Sequence, residues 1–175
     1  MENKITFISL IENQFKYGGK KYANDSQKEA TDILCEDFGT NGLLWTIAKY
    51  VLRYKNLGQE KELLKIGCYM YILWLKRGFH LNQQGTPKII NTTVETKEKF
   101  FPLFLKRVDD FNEIAIGGEP DPTLSMNDVY TILKEIASKP FNEVGGFWLY
   151  TIWNTVKLEW EKKFANVKVH NTDAK

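Results

Sequence analysis

Apolar residues recur along most of this chain at steps of three and four, with polar residues between them. Residues 5–17 show the spacing first, with Ile5, Ile8 and Phe15 on one face. That period is typical of an amphipathic helix. Continued along the chain, the pattern predicts an all-α helical bundle of about seven helices.

Capping residues, glycines and prolines set the expected helix boundaries. Three pairs have the spacing of capping signatures and predict helix starts: Ser26 with Glu29, Thr92 with Glu95, and Ser125 with Asp128. The pair Gly18–Gly19 is expected to end the first helix, because glycine supplies the backbone freedom of a helix C-terminus. Pro102 is expected to break or restart the helix that contains it. The later helices are predicted over about 26–37, 40–55, 59–77, 125–138 and 143–165, and a helical pattern also runs from 92 through 111, before a turn-rich linker at 117–124.

These helices predict two lobes followed by a tail. The fourth helix contains IGCYMYILWL, which is apolar on every side and indicates a central helix buried by its neighbours. We therefore expect a compact four-helix N-terminal lobe over residues 1–82 and a looser helical C-terminal lobe over residues 83–165. The tail over residues 166–175 is expected to be flexible.

Composition narrows the functional classes. The 175 residues are 43% hydrophobic and 26% charged, the makeup of an ordinary globular protein. Two cysteines and two histidines exclude a disulfide scaffold and a zinc finger. The longest apolar run, residues 66–75, is too short to cross a bilayer, and the first residues lack the pattern of a signal peptide. We expect a cytoplasmic protein of a bacterial host cell, with no membrane partner.

Recognisable catalytic motifs are absent from the sequence. It contains neither a P-loop nor the G-x-G-x-x-G dinucleotide fingerprint. His80 has no evident partners for a nucleophilic site. No catalytic residue is predicted. The sequence favours a binding protein over an enzyme but leaves both open.

The net charge of +2 hides a local excess of cations. Residues 42–81 contain seven cations and only two acids, which gives a local charge of +5. Basic groups interleaved with tyrosines suit phosphate contacts and base stacking in RNA. The alternative is a solvated helix face whose Lys and Arg stems cover apolar surface. The predicted residues for contacts with RNA or a protein partner are Lys49, Tyr50, Arg53, Tyr54 and Lys65.

A second candidate site is acidic. Glu29, Asp32 and Glu36 lie at steps of three and four, so all three carboxylates are expected on one side of the second helix. Such a face suits a divalent cation and, through it, a nucleotide phosphate. Acids in the first half of a helix are also favoured by its macrodipole. No cofactor is expected except Mg²⁺ under this reading.

Residues 25–78 resemble a small phage domain family that includes the phage nucleotide-kinase-like proteins. The matching pieces are T-D-I at residues 31–33, Gly42, K-Y-V-L-R-Y at 49–54, and E-L-L-K-I at 62–66 with Tyr69. The resemblance implies a phage or prophage origin. The alternative function is an enzyme of nucleotide metabolism. It would be a nucleotide kinase, as in this family, or an Mg²⁺-dependent nucleotide pyrophosphohydrolase, since the Glu29-x-x-Asp32 spacing of the acidic site is similar to that of the all-α pyrophosphohydrolases.

The whole chain resembles type VI-B anti-CRISPR proteins in its Lys, Ile and Asn content and its helical plan. This class disables the Cas13b RNA-guided RNA nuclease. The resemblance implies a phage-derived inhibitor of host defence that binds the effector nuclease, its guide RNA or their complex. A further alternative is an interaction module whose aromatic last helix docks on a partner helix.

Overall fold

The computed structural model describes residues 4–22, 30–81, 92–118, 121, 123–139 and 146–172. Over these residues the chain forms α-helices and one short 3-10 helix, without any strand, which confirms the predicted all-α class. The α-helices are α1 (Phe7–Tyr22), α2 (Ala30–Phe38), α3 (Asn41–Leu57), α4 (Glu60–Lys76), α5 (Val94–Ile116), α6 (Met126–Ala137) and α7 (Gly146–Phe164), and the 3-10 helix is Phe79–Leu81.

Helix α4 is the centre of the bundle. It contacts α1, α3, α5 and α7, and buries residues on all its sides. The close approach of α1 requires Gly67, because a Cβ atom there would lie 2.7 Å from Cζ of Phe7. The apolar middle of α4 thus has the environment that its sequence predicts.

Both predicted lobes contribute to one hydrophobic core. Tyr71 of α4 packs its ring against Phe101 and Phe104 of α5, with centroids 5.0 and 5.2 Å apart. Phe104 also meets Trp153 of α7 edge-on at 5.0 Å. Aromatic contacts therefore join the two halves of the chain. The expected boundary at residues 82 and 83 lies outside the described residues.

Two helices continue through positions that were expected to interrupt them. Helix α1 passes through Gly18–Gly19 to Tyr22, because glycine disfavours a helix by only about 1 kcal/mol and does not forbid it. Helix α5 passes through Pro102 without a break. The carbonyl that loses its donor there belongs to Glu98, and both residues are exposed, so water can replace the missing amide.

The expected helix starts in the second half are close to the observed ones. The N–H of Ser125 donates to Asp128 at 2.7 Å, which confirms the capping box before α6. Helix α5 is capped by Thr93, which accepts from the amide of Thr96 at 3.1 Å, rather than by Thr92. Thr92 instead turns inward and bonds to Asp32.

The end of the chain folds back onto α4 and α1. Nδ1 of His170 lies 2.5 Å from Oε1 of buried Glu60, and the amide of Asn171 donates to the other carboxylate oxygen at 2.8 Å. Gln14 donates to the carbonyl of Thr172 at 2.9 Å. Three successive residues of the expected flexible tail thus have specific partners. Residues 173–175 lie outside the described part.

Candidate functional site: an aromatic and basic face on α3 and α4

Helix α3 has one buried side and one side turned to solvent. Leu44, Ile47 and Val51 are buried in the core. On the opposite side Trp45 is 69% exposed, although tryptophan is usually highly buried. Arg53, two turns further on, is exposed as well. The helix therefore presents an aromatic ring and a cation to solvent on the same side.

The cations of α3 lie against its aromatic rings. Nζ of Lys49 is 5.6 Å from the ring centroid of Trp45 and 5.0 Å from that of Tyr50. The guanidinium carbon of Arg53 is 5.5 Å from the Tyr50 ring. These distances are within the range of cation–π attraction. Positive charge and ring surface thus alternate over two helical turns.

Helix α4 extends this surface. The ring of Tyr69 stacks on that of Tyr50, with centroids 5.9 Å apart and an angle of 13° between the planes. Lys65 precedes Tyr69 by one helical turn, so it lies on the same side of α4 and is half-buried. We call Trp45, Lys49, Tyr50, Arg53, Lys65 and Tyr69 the α3–α4 face.

Tyr54 does not belong to this face, contrary to expectation. Its side chain is only 5% exposed, and its hydroxyl donates to Glu159 of α7 at 2.8 Å. Burial and the bond to Glu159 raise the pKa of Tyr54. Tyr54 follows Tyr50 by four residues, which is about 40° more than one helical turn, and this places Tyr54 on the side of α3 that faces the core. It therefore serves packing between α3 and α7.

The surface of residues 42–81 carries an excess of positive charge, although not all seven cations of this stretch reach solvent. Two of the seven, Lys76 and Arg77, are buried at the end of α4. The two acids, Glu60 and Glu62, are buried as well. The cations of residues 42–81 that reach solvent, at least in part, are Lys49, Arg53, Lys55, Lys61 and Lys65. The surface of this stretch is thus basic, because its two acidic side chains are buried.

The acidic face expected on α2 is divided between core and solvent. Asp32 is fully buried, where it forms an ion pair with Lys76 and accepts from the amide and hydroxyl of Thr92, each at 2.9 Å. Burial alone would raise the pKa of Asp32, but the bonds from Lys76 and Thr92 outweigh it and lower the pKa. Glu36 is exposed, and Glu29 lies outside the described residues. Asp32 and Glu36 therefore do not present a shared carboxylate face to solvent.

The remaining candidates for chemistry are also in the core. Among the described residues, no group of three His, Cys, Asp or Glu side chains is placed to hold a metal ion. Cys35 is buried, which raises the pKa of its thiol. His80 packs against Phe100 with ring centroids 4.6 Å apart, and burial lowers its pKa.

Sequence reasoning missed two residues of the α3–α4 face. Trp45 precedes Lys49 by four residues and Arg53 by eight, so helical spacing was enough to place it with them. Tyr69 comes from another helix, and its stack on Tyr50 depends on how α3 packs against α4. No short-range pattern contains that information.

No helix within the described ranges is long and apolar enough to cross a bilayer. Comparison with known proteins adds no relative to this description: no family model, curated protein or solved structure matches the chain.

Proposed function

We propose that this protein is a phage-derived inhibitor that binds an RNA-guided RNA nuclease of the Cas13b type together with its guide RNA, using the α3–α4 face. The observation that carries the proposal is the exposed ring of Trp45 beside Lys49, with Arg53 against the Tyr50 ring further along the same helix. The resemblance of the whole chain to type VI-B anti-CRISPR proteins supplies the identity of the partner.

The chemistry of this face suits RNA. Lysine and arginine side chains bind phosphates, and aromatic rings stack on bases that are not paired. Lys49 is close to both the Trp45 and Tyr50 rings, so a phosphate held by this ammonium group has ring surface on either side. A protein bound to the guide at this face would compete with the target for it, and inhibition needs no catalytic group.

The proposal rests on binding and not on turnover. The buried positions of Asp32, Cys35 and His80 are unlike the solvent-accessible positions of a general base or a nucleophile. Lys49 and Arg53, in contrast, have their charged ends beside rings at the surface. The accessible functional groups of this part of the chain are thus those of a binding protein.

The test is capture of the tagged protein from cells that produce the nuclease and guide RNA. We expect both to co-purify with wild-type protein, and a nuclease-treated control to show whether the RNA is needed. Lys49→Glu combined with Arg53→Glu should abolish capture while the helical circular dichroism is retained. The matched control is Lys99→Glu combined with Lys106→Glu on α5, which makes the same charge change at two exposed positions. Capture that survives the α3 substitutions would contradict the proposal.

A further inference from the structure

We infer that the ligand of the α3–α4 face is an unpaired, single-stranded segment of RNA, with one base stacked on Trp45. This inference rests on the proposed function and specifies which part of an RNA this face recognises. The inference assigns the main RNA contact to Trp45, an aromatic residue, and not to one of the cations of the face.

The position of Trp45 suits an external stacking partner. Its ring is 69% exposed, whereas Trp74, Trp153 and Trp160 are each buried in the core. Nζ of Lys49 lies 5.6 Å from the Trp45 centroid, while Tyr50 is already stacked on Tyr69. Trp45 is thus the ring of this face with the largest exposed fraction, and a base can bind it while Lys49 holds the adjoining phosphate.

A paired RNA does not offer what this face can bind. In an A-form duplex each base is already stacked on its neighbours, and the deep major groove excludes side chains. The faces of the bases become available only in single strands, loops and ends. A Trp ring beside cations therefore discriminates between unpaired and paired RNA, whereas cations alone bind the phosphates of both.

The α3–α4 face predicts the salt dependence of RNA binding and the loss of affinity when one base is removed. Three cations belong to the face, Lys49, Arg53 and Lys65. If each neutralises one phosphate of a single strand, the logarithm of the binding constant should fall with the logarithm of salt concentration at a slope of about −2. Loss of one stacked base should weaken binding by about 5- to 150-fold.

The experiment compares RNA ligands of equal charge with purified, full-length protein. The probes are an oligouridine of about ten nucleotides, the same backbone with abasic sites, and a hairpin duplex of equal phosphate number. We expect the oligouridine to bind best, and the abasic strand and the duplex to bind more weakly by at least about 5-fold. Binding should quench tryptophan fluorescence.

Substitutions at Trp45 test which residue makes the contact. Trp45→Ala should lose the preference for oligouridine over the abasic strand, while Trp45→Phe should keep most of it, because phenylalanine retains a stacking face. Trp148→Ala is the control, since Trp148 is also exposed but lies on α7. The salt slope should remain near −2 in Trp45→Ala, because the cations are unchanged.

The outcomes separate this inference from the proposed function. Equal affinity for all three RNA probes, or an unchanged preference in Trp45→Ala, would overturn the inference. A third result would also overturn the inference: the protein captures the nuclease in a way that depends on the α3 charges, but it binds none of the RNA probes. The proposed inhibitor function would stand in that case. Failure to capture either nuclease or guide RNA overturns the proposed function itself.

Discussion

The crossing of α1 over α4 allows a stability prediction at Gly67. A methyl group at this position would lie 2.7 Å from Cζ of Phe7 and 3.0 Å from Cδ1 of Ile11. Phe7 is 1% exposed and packs against Trp153, with ring centroids 5.2 Å apart. Its ring is therefore already packed inside the core. Gly67→Ala must separate the two helices or force strained rotamers.

The magnitude follows from two opposing effects. Overpacking a core by one methyl group costs about 1–3 kcal/mol. Replacing glycine by alanine inside a helix returns about 1 kcal/mol. Gly67→Ala should therefore lower the free energy of unfolding by up to about 2 kcal/mol. Gly42→Ala is the matched control, because Gly42 lies in the first turn of α3 and a Cβ there meets nothing within 4 Å.

Urea unfolding followed by circular dichroism measures both variants. We expect Gly42→Ala to be at least as stable as wild type, and Gly67→Ala to unfold at a lower urea concentration with the same dependence on denaturant. The difference between the two variants isolates the contact with Phe7, because both carry the glycine-to-alanine gain. If Gly67→Ala were as stable as Gly42→Ala, the close packing of α1 on α4 would be refuted.

Further predictions concern the buried polar contacts. Lys76→Met should destabilise the protein by about 3–5 kcal/mol in thermal or urea unfolding, because it leaves the charge of Asp32 without its buried cation. The lowered pKa of Asp32 means that its contribution is present above the ordinary Asp range and is lost as pH falls through the lowered value, so acid unfolding of wild type should show this loss and Asp32→Asn should not. His170→Ala should cost about 1–3 kcal/mol and expose the chain end to proteolysis, because it removes a buried contact to Glu60. Tyr54→Phe should leave RNA affinity unchanged in a direct binding assay, since its hydroxyl faces the core.

Local patterns in the sequence predicted the helical class and several boundaries. The apolar middle of α4 is central as its composition implied, and Ser125 with Asp128 begins α6. These features depend on neighbours three or four residues apart, which the sequence displays directly. The same reasoning was wrong at Gly18–Gly19, where glycine disfavours a helix by only about 1 kcal/mol, and at Pro102, where water can bond to the exposed carbonyl of Glu98.

Contacts between distant residues were beyond the reach of these patterns. Asp32 has helical spacing to Glu36, yet it pairs with Lys76, forty-four positions along the chain. Tyr54 has the same spacing to Tyr50 as Arg53 has to Lys49, but its hydroxyl donates a hydrogen bond to the carboxylate of Glu159 on α7. The local sequence around a carboxylate or a tyrosine does not show whether its side chain bonds to water or to another helix. Lys49 and Arg53 could be grouped from the sequence because they lie four residues apart on one side of a single helix.

The central claim is tested most directly by target-RNA cleavage with purified, guide-loaded nuclease. Wild-type protein should reduce cleavage in a dose-dependent way, and the Lys99→Glu, Lys106→Glu control should inhibit equally well. The Lys49→Glu, Arg53→Glu variant should leave cleavage at its uninhibited rate while keeping wild-type circular dichroism. Full inhibition by that variant, or none by the wild-type protein, would contradict the account.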